Sequence, residues 1–265
     1  MSQKSEDALD QAEDAYQDSA APSVAGATTD RGAGVPPHRL VIDHRDIRRG
    51  SGKTQRRRGS DYYDTILWRV MPKELSASPG FSIGLTGCDR QAGVSTVAAN
   101  LAIRAADHRL SPVLLVDANL ANPRLDRTFR LHDAPGMTEV LAEECSLNDA
   151  IHDSGIEGLS IMPLGAKSLV DRTRVDQESL SALLAELRGE FATIVFDLPE
   201  VRELRHSLLI AQQMDAALVV LKSEATRRKA AQAMVGRLAE DGVNVVGTVL
   251  TQQKNYIPRW FQRWL

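Results

Sequence analysis

Cysteine is almost missing from this chain: Cys88 and Cys145 are the two that occur in 265 residues. They stand far apart and in no metal-ligand spacing, so neither a disulfide scaffold nor a zinc site is expected, and a reducing compartment fits. Long apolar runs are missing as well. No stretch approaches the roughly 18 consecutive apolar residues that cross a bilayer, and Glu6, Asp7 and Asp10 stand where a signal peptide would carry its apolar core. The expected location is cytoplasmic, with any membrane contact peripheral. Nor is there an excess of one charge, since Lys plus Arg total 32 and Asp plus Glu total 35, for a net charge of −3. That balance gives no whole-protein reason to bind nucleic acid or acidic membranes, and any such contact has to come from a local patch. What is present, 43% hydrophobic and 25% charged residues, suits a globular chain able to bury a core.

Residues 1 to about 60 are rich in Ala, Ser, Asp, Gly and Pro and show no helical or strand period, so they are expected to form a disordered tail. Its first part is acidic, from Glu6 to Asp18, and its second basic, from Arg45 to Arg58. The basic half reads as a solvated linker or as a contact to anionic lipid or a partner. A helix is expected from near Tyr62, with Ile66, Leu67, Val70 and Met71 on one face.

From Phe81 onward short apolar runs alternate with helix-period segments, the pattern of an α/β fold with a mostly parallel sheet flanked by helices. Strands are expected at Phe81 to Thr86, Pro112 to Val116, Leu159 to Met162, Thr193 to Phe196, Ala216 to Leu221 and Val243 to Leu250. Helices are expected at Ser95 to Asp107, Met137 to Glu143, Gln177 to Arg188, Leu204 to Gln213 and Glu224 to Asp241, with Gly189 and Gly242 as C-caps. The main domain then spans 61–253 and leaves an aromatic-basic tail over 254–265. Tyr256, Arg259, Trp260, Phe261, Arg263 and Trp264 suit either docking to a partner or interface, or closing the domain's own core.

In such a sheet, ligands sit beyond the carboxyl ends of the strands, so the loop after the first expected strand is the place to look for chemistry. It runs from Thr86-Gly87-Cys88 through Asp89-Arg90-Gln91-Ala92 to Gly93-Val94-Ser95-Thr96. A phosphate-binding loop needs a glycine-rich turn, a lysine for the phosphate charge and a Ser/Thr hydroxyl for Mg²⁺. Gly93, Ser95 and Thr96 are in register and open a helix whose N-terminus favours an anion. Cys88 replaces the first glycine, and Val94 stands where the lysine belongs. Arg90 is the loop's own cation, either reaching the phosphates or solvated; Cys88 is either a redox-sensitive thiol or a packed, inert one. Two further segments, Leu114-Leu115-Val116-Asp117 and Thr193-Ile194-Val195-Phe196-Asp197, each end a buried strand with an aspartate at the ligand edge. One such aspartate commonly caps a turn, but two beside a P-loop-like turn form a constellation.

With these segments, together with Pro135-Gly136-Met137-Thr138-Glu139, Pro163-Leu164-Gly165, Val246-Gly247-Thr248-Val249-Leu250 and Tyr256-Ile257-Pro258-Arg259-Trp260, residues 62 to 265 resemble the bacterial tyrosine kinases. These are proteins of capsule and exopolysaccharide synthesis within the larger group of MinD/ParA-like P-loop ATPases. The resemblance implies ATP or ADP with Mg²⁺ as cofactors. Gly93, Ser95, Thr96 and Arg90 would bind the nucleotide, Ser95, Asp117 and Asp197 would hold the metal, and Asp117 and Asp197 would be the catalytic acids. It also implies an inner-membrane polysaccharide co-polymerase or chain-length regulator as partner and leaves a homo-oligomer open.

The departures matter equally. Asn119 stands where the family has a second aspartate, Ala121 where it has an arginine, and Thr251 and Gln252 where an Asn helps read adenine. Tyr63, Ile66 and Arg69 do not fit the family's E-x-x-R-x-x-R motif, and Tyr256 alone stands for its tyrosine cluster. The expected function is therefore a kinase-like regulatory protein of polysaccharide synthesis or export, with nucleotide binding and catalysis impaired by Val94. Two alternatives are an active tyrosine autokinase, with Tyr62, Tyr63 or Tyr256 as acceptors, and a positioning ATPase that holds membrane or DNA through Arg45 to Arg58.

Overall fold

The computed structural model describes residues 53–71, 80–108, 110, 112–131, 133–165, 177–201 and 208–252, together with a short segment at 39–41; for 39–41 and 53–61 the backbone alone is described. Two described elements fall within the stretch expected to be a disordered tail: strand β1 (Arg39–Val41) and the start of helix α1 (Lys53–Val70). The helix therefore begins well before Tyr62. The acidic segment Glu6 to Asp18, the side chains of Arg45 to Arg58 and the ending over 254–265 lie outside the described residues.

Beyond α1 the order is β2 (Phe81–Gly87), α2 (Val94–Asp107), β3 (Val113–Asp117), α3 (Leu125–Phe129), α4 (Met137–Leu141), α5 (Leu147–Ala150), β4 (His152–Ile156) and β5 (Leu159–Met162). Then come α6 (Gln177–Glu190), β6 (Thr193–Asp197), α7 (Leu208–Gln212), β7 (Ala216–Lys222), α8 (Arg228–Glu240) and β8 (Val245–Thr251). The strands form one eight-stranded sheet in the order β1-β8-β7-β2-β6-β3-β5-β4, and every pairing is parallel except β4 with β5. Every strand expected from an aliphatic run is present. Strands β3 and β6 are buried at all positions, as expected of strands covered on both faces.

Alternate residues feed two core layers. Leu114, Val116, Ile194 and Phe196 pack toward α4, α6, α7 and α8, through Met137, Leu184, Ile210 and Leu238. Val113, Leu115 and Val195 pack toward α1 and α2, through Tyr63, Ile66, Leu67, Val97 and Leu101. The face expected of α1 is thus the one that docks, with Val70 and Met71 packed at its margin. Asp64 fastens the contact by accepting from Arg104 Nε and Nη2, both at 2.8 Å, and lies 2.8 Å from His108 Nε2.

Gly242, with φ at 83°, follows α8 as its expected left-handed stop. Gly189 does not end α6: the helix continues to Glu190, and Phe191 N–H still donates to Leu187 O at 2.9 Å. Helix α8 starts at Arg228 rather than Glu224, because Glu224 adopts a positive φ of 65° in the turn before it. Likewise α4 stops at Leu141, just ahead of Glu143 at φ 57°.

Candidate functional site

The loop between β2 and α2 is shaped by Gly93, whose φ of 91° lies in the left-handed region that suits glycine, and which caps α2 without a side chain. The first amides of α2 have no preceding turn to donate to, and with the helix dipole they make an anion-favouring end. Ser95 and Thr96 lie half-buried on that first turn. Val94 does not face the loop mouth in the way a phosphate-binding lysine would. It is 9% exposed and belongs to the α1–α2 core layer, and its Cγ2 lies 2.8 Å from where a Cβ on Gly87 would stand.

The rest of the loop is held by the other half of the domain. Thr251 Oγ1 donates to Ala92 O at 2.6 Å and Gln252 Nε2 donates to Gln91 O at 2.8 Å. Thr226 donates its hydroxyl to Asp89, Cys88 N–H donates to Val220 O at 3.2 Å, and Cys88 Sγ donates to Met234 Sδ at 3.1 Å. Cys88 is thereby a packed thiol, the inert one of its two readings. The two residues in place of the adenine-reading Asn fasten the loop itself.

Asp117 and Asp197 are the last residues of β3 and β6 and stand opposite each other in parallel register. Both are fully buried, yet their surroundings differ. Asp117 accepts three backbone N–H groups: Asn119 at 3.0 Å on Oδ1, and Arg124 at 2.9 Å and Leu125 at 3.0 Å on Oδ2. It builds the turn after β3 and caps α3. Burial raises its pKa and these three bonds work against that rise. Neither oxygen of Asp197 receives a hydrogen bond of good geometry. Burial, then the charge of Asp117, push its pKa well above the carboxylate range, while the Ser95 hydroxyl and the charge of Arg124 pull it back.

The structure thus brings Gly93, Ser95, Asp117 and Asp197 together, with Thr96 on the same helical turn. Arg90 is exposed on the loop. Asn119, in place of the second acid, also builds the turn, accepting from Asn122 N–H at 3.0 Å. Sequence reasoning gave no role to Arg124. The Pro123-Arg124 step seven residues after Asp117 was the available signal, and what could not be read from it was the fold-back that returns the Arg124 backbone to that carboxylate. The motifs around Gly136 and Pro163 meet beside the site, where Met137 and Thr138 N–H donate to Pro163 O and Leu164 O, both at 2.9 Å. Buried Glu139 accepts there from Gly136 N–H and Thr138 Oγ1, both at 2.9 Å.

Asp197 and Ser95 offer hard oxygen donors to a Mg²⁺ ion, and the unpartnered carboxylate fits one; Asp117 has its oxygens engaged by backbone. The end of α2 fits a phosphate group in geometry but lacks the lysine charge. Among the described residues no group of three or more His, Cys, Asp or Glu gathers as a separate metal site, and no helix is long and apolar enough to cross a membrane.

Strand order, the glycine-hinged loop opening α2 and two strand-end aspartates define a P-loop NTPase fold of the MinD/ParA type. Residues 81–253 match the family model described as cellulose biosynthesis protein BcsQ, and the chain belongs to that family. It is 28% identical over 178 residues to the tyrosine-protein kinase ptk of Acinetobacter johnsonii, covering 66% of this chain and 24% of that protein. With the tyrosine-protein kinase YwqD of Bacillus subtilis it shares 24% identity over 216 residues, 76% of this chain and 91% of YwqD. Among solved structures, the kinase domain of Escherichia coli tyrosine kinase ETK superposes with a TM-score of 0.66 at 19% identity, covering 76% of this chain and 78% of that one. MinD of Pyrococcus horikoshii complexed with Mg-ADP gives 0.56 at 23% identity, covering 69% and 76%. Both structures speak to the fold.

Proposed function

We propose that this chain is a tyrosine-kinase-like P-loop regulatory protein of capsule or exopolysaccharide biosynthesis or export, with weakened nucleotide binding and impaired catalysis. The observation that carries the reading is Val94, a buried aliphatic side chain packed against Gly87 where a phosphate-binding lysine is expected. A charged hydrogen bond to phosphate contributes about 1.5–3 kcal/mol, so its loss weakens binding by roughly one to two orders of magnitude. The rest of the site supports residual binding: α2 presents its N-terminus, and Ser95 with Asp197 would hold Mg²⁺, which when bound neutralises phosphate charge. The family match and the kinase-named relatives support the polysaccharide setting. An inner-membrane chain-length regulator is the partner this reading implies, with the chain at the cytoplasmic face and contacting the membrane peripherally.

Calorimetric titration with Mg-ATP and Mg-ADP, with Val94→Lys alongside, tests the reading. The expected result is a Kd at least tenfold weaker for the unaltered chain than for the variant, with circular dichroism showing that both are folded. Equally tight binding by the unaltered chain would overturn it.

A further inference from the structure

We infer that Arg124 is the cation that meets the phosphates of a nucleotide seated at the N-terminus of α2, in the role that position 94 has given up; this rests on the weakened nucleotide site proposed above. Three observations converge. The Arg124 backbone is pinned beside the paired carboxylates, its N–H donating to Asp117 Oδ2 at 2.9 Å. Its guanidinium is braced: with the Asn122 amide oxygen turned toward it, that oxygen accepts from Nε and from Nη2, both at 3.0 Å. The anchor also stands at the heart of the site, since Asp117 pairs in parallel register with Asp197, the fully buried carboxylate at the end of β6 whose oxygens receive no hydrogen bond of good geometry.

The chemistry follows from this placement. A guanidinium carries five N–H donors in a planar fork, so two can be spent on Asn122 while others stay available to phosphate oxygens. The residue is exposed, so an incoming anion need not displace packed structure to reach it. Bracing by Asn122 also limits the rotamer entropy lost on binding, which a free surface arginine would lose in full. Arg90 is the rival, being the cation within the loop itself.

The test is titration of the full chain with Mg-ADP at two salt concentrations, comparing the unaltered protein with Arg124→Gln, Arg124→Lys, Arg90→Gln and the charge-matched control Arg127→Gln on α3. Arg124→Gln should weaken Kd by about tenfold or more and flatten the salt dependence, Arg124→Lys should recover part of the loss, and Arg127→Gln should stay within about twofold. The backbone bond to Asp117 survives these changes, so the Tm should hold and exclude misfolding as the cause. An unchanged Kd in Arg124→Gln overturns the assignment, as does a loss seen in Arg90→Gln instead. If Val94→Lys binds Mg-ADP and the unaltered chain does not, Arg124 fails as a substitute while the impaired-site reading stands. If neither binds, both fall.

Discussion

Asp197 sits where burial and a neighbouring carboxylate both oppose its charge, and no hydrogen bond of good geometry compensates. A carboxyl whose pKa rises on folding favours the folded state while protonated. That contribution is complete below the unfolded value near 3.8 and is lost as pH climbs through the folded value of about 8. Stability should therefore decline across this window, and Asp197→Asn, a neutral near-isostere, should flatten the decline. Thermal melts from pH 4 to pH 8 check this: the variant should gain at the alkaline end, each 1 kcal/mol raising Tm by about 2–4 °C. A decline of the same steepness in both proteins would place the pH sensitivity elsewhere. Asp117 shows why residue type alone was an incomplete guide to the site. Both strand-end acids were legible in the sequence, but their division of labour was not, because it depends on where the turn after β3 directs its amides.

At the scale of elements, α1 shows what periodicity reveals and what it hides. The docking face of Ile66 and Leu67 was legible from spacing, whereas the start at Lys53 was not, since the preceding basic residues carry no apolar period. Spacing also could not show that Tyr63 would be buried at 2% exposure with an unpartnered hydroxyl, whose burial raises its pKa and removes it as an accessible phosphate acceptor; neighbouring Tyr62 is 40% exposed. Two substitutions one turn apart should therefore have opposite signs in urea denaturation. Tyr63→Phe should stabilise by about 1 kcal/mol by removing an unsatisfied polar group, and Ile66→Ala should destabilise by about 2–5 kcal/mol by leaving a cavity. A destabilised Tyr63→Phe would mean that the hydroxyl has a partner. Strand β4 went unforeseen for a related reason. His152-Asp153-Ser154-Gly155-Ile156 is polar, half exposed and kinked at Gly155, unlike the doubly buried strands that aliphatic runs announce.

Across the whole molecule, the loop before α2 is tied to segments far along the chain, through Thr226 and Met234 as well as Thr251 and Gln252. No local pattern could announce these ties, since they exist only after β7 and β8 have paired. Replacing Thr251 with Val and Gln252 with Ala together should speed amide exchange at residues 89–93 by at least about fivefold in hydrogen-exchange mass spectrometry, leaving β3 and β6 unchanged. Unaltered exchange in that loop would show that its own turn suffices to hold it. The opposite end of the sheet has its own polar knot, in which Arg188 Nη2 donates to Ser82 Oγ and Gln213 O, both at 2.9 Å, and to Asp215 at 3.1 Å. Because β2, β6 and β3 run parallel and in register, height along the strands works as a ruler. In a saturation-mutagenesis screen scored separately for abundance and for ligand response, variants near Ser82 and Asp215 should fall on the abundance axis alone. Those at the height of Ser95 and Asp197 should spread along the other, so the two phenotypes would sort by altitude rather than by position in the chain.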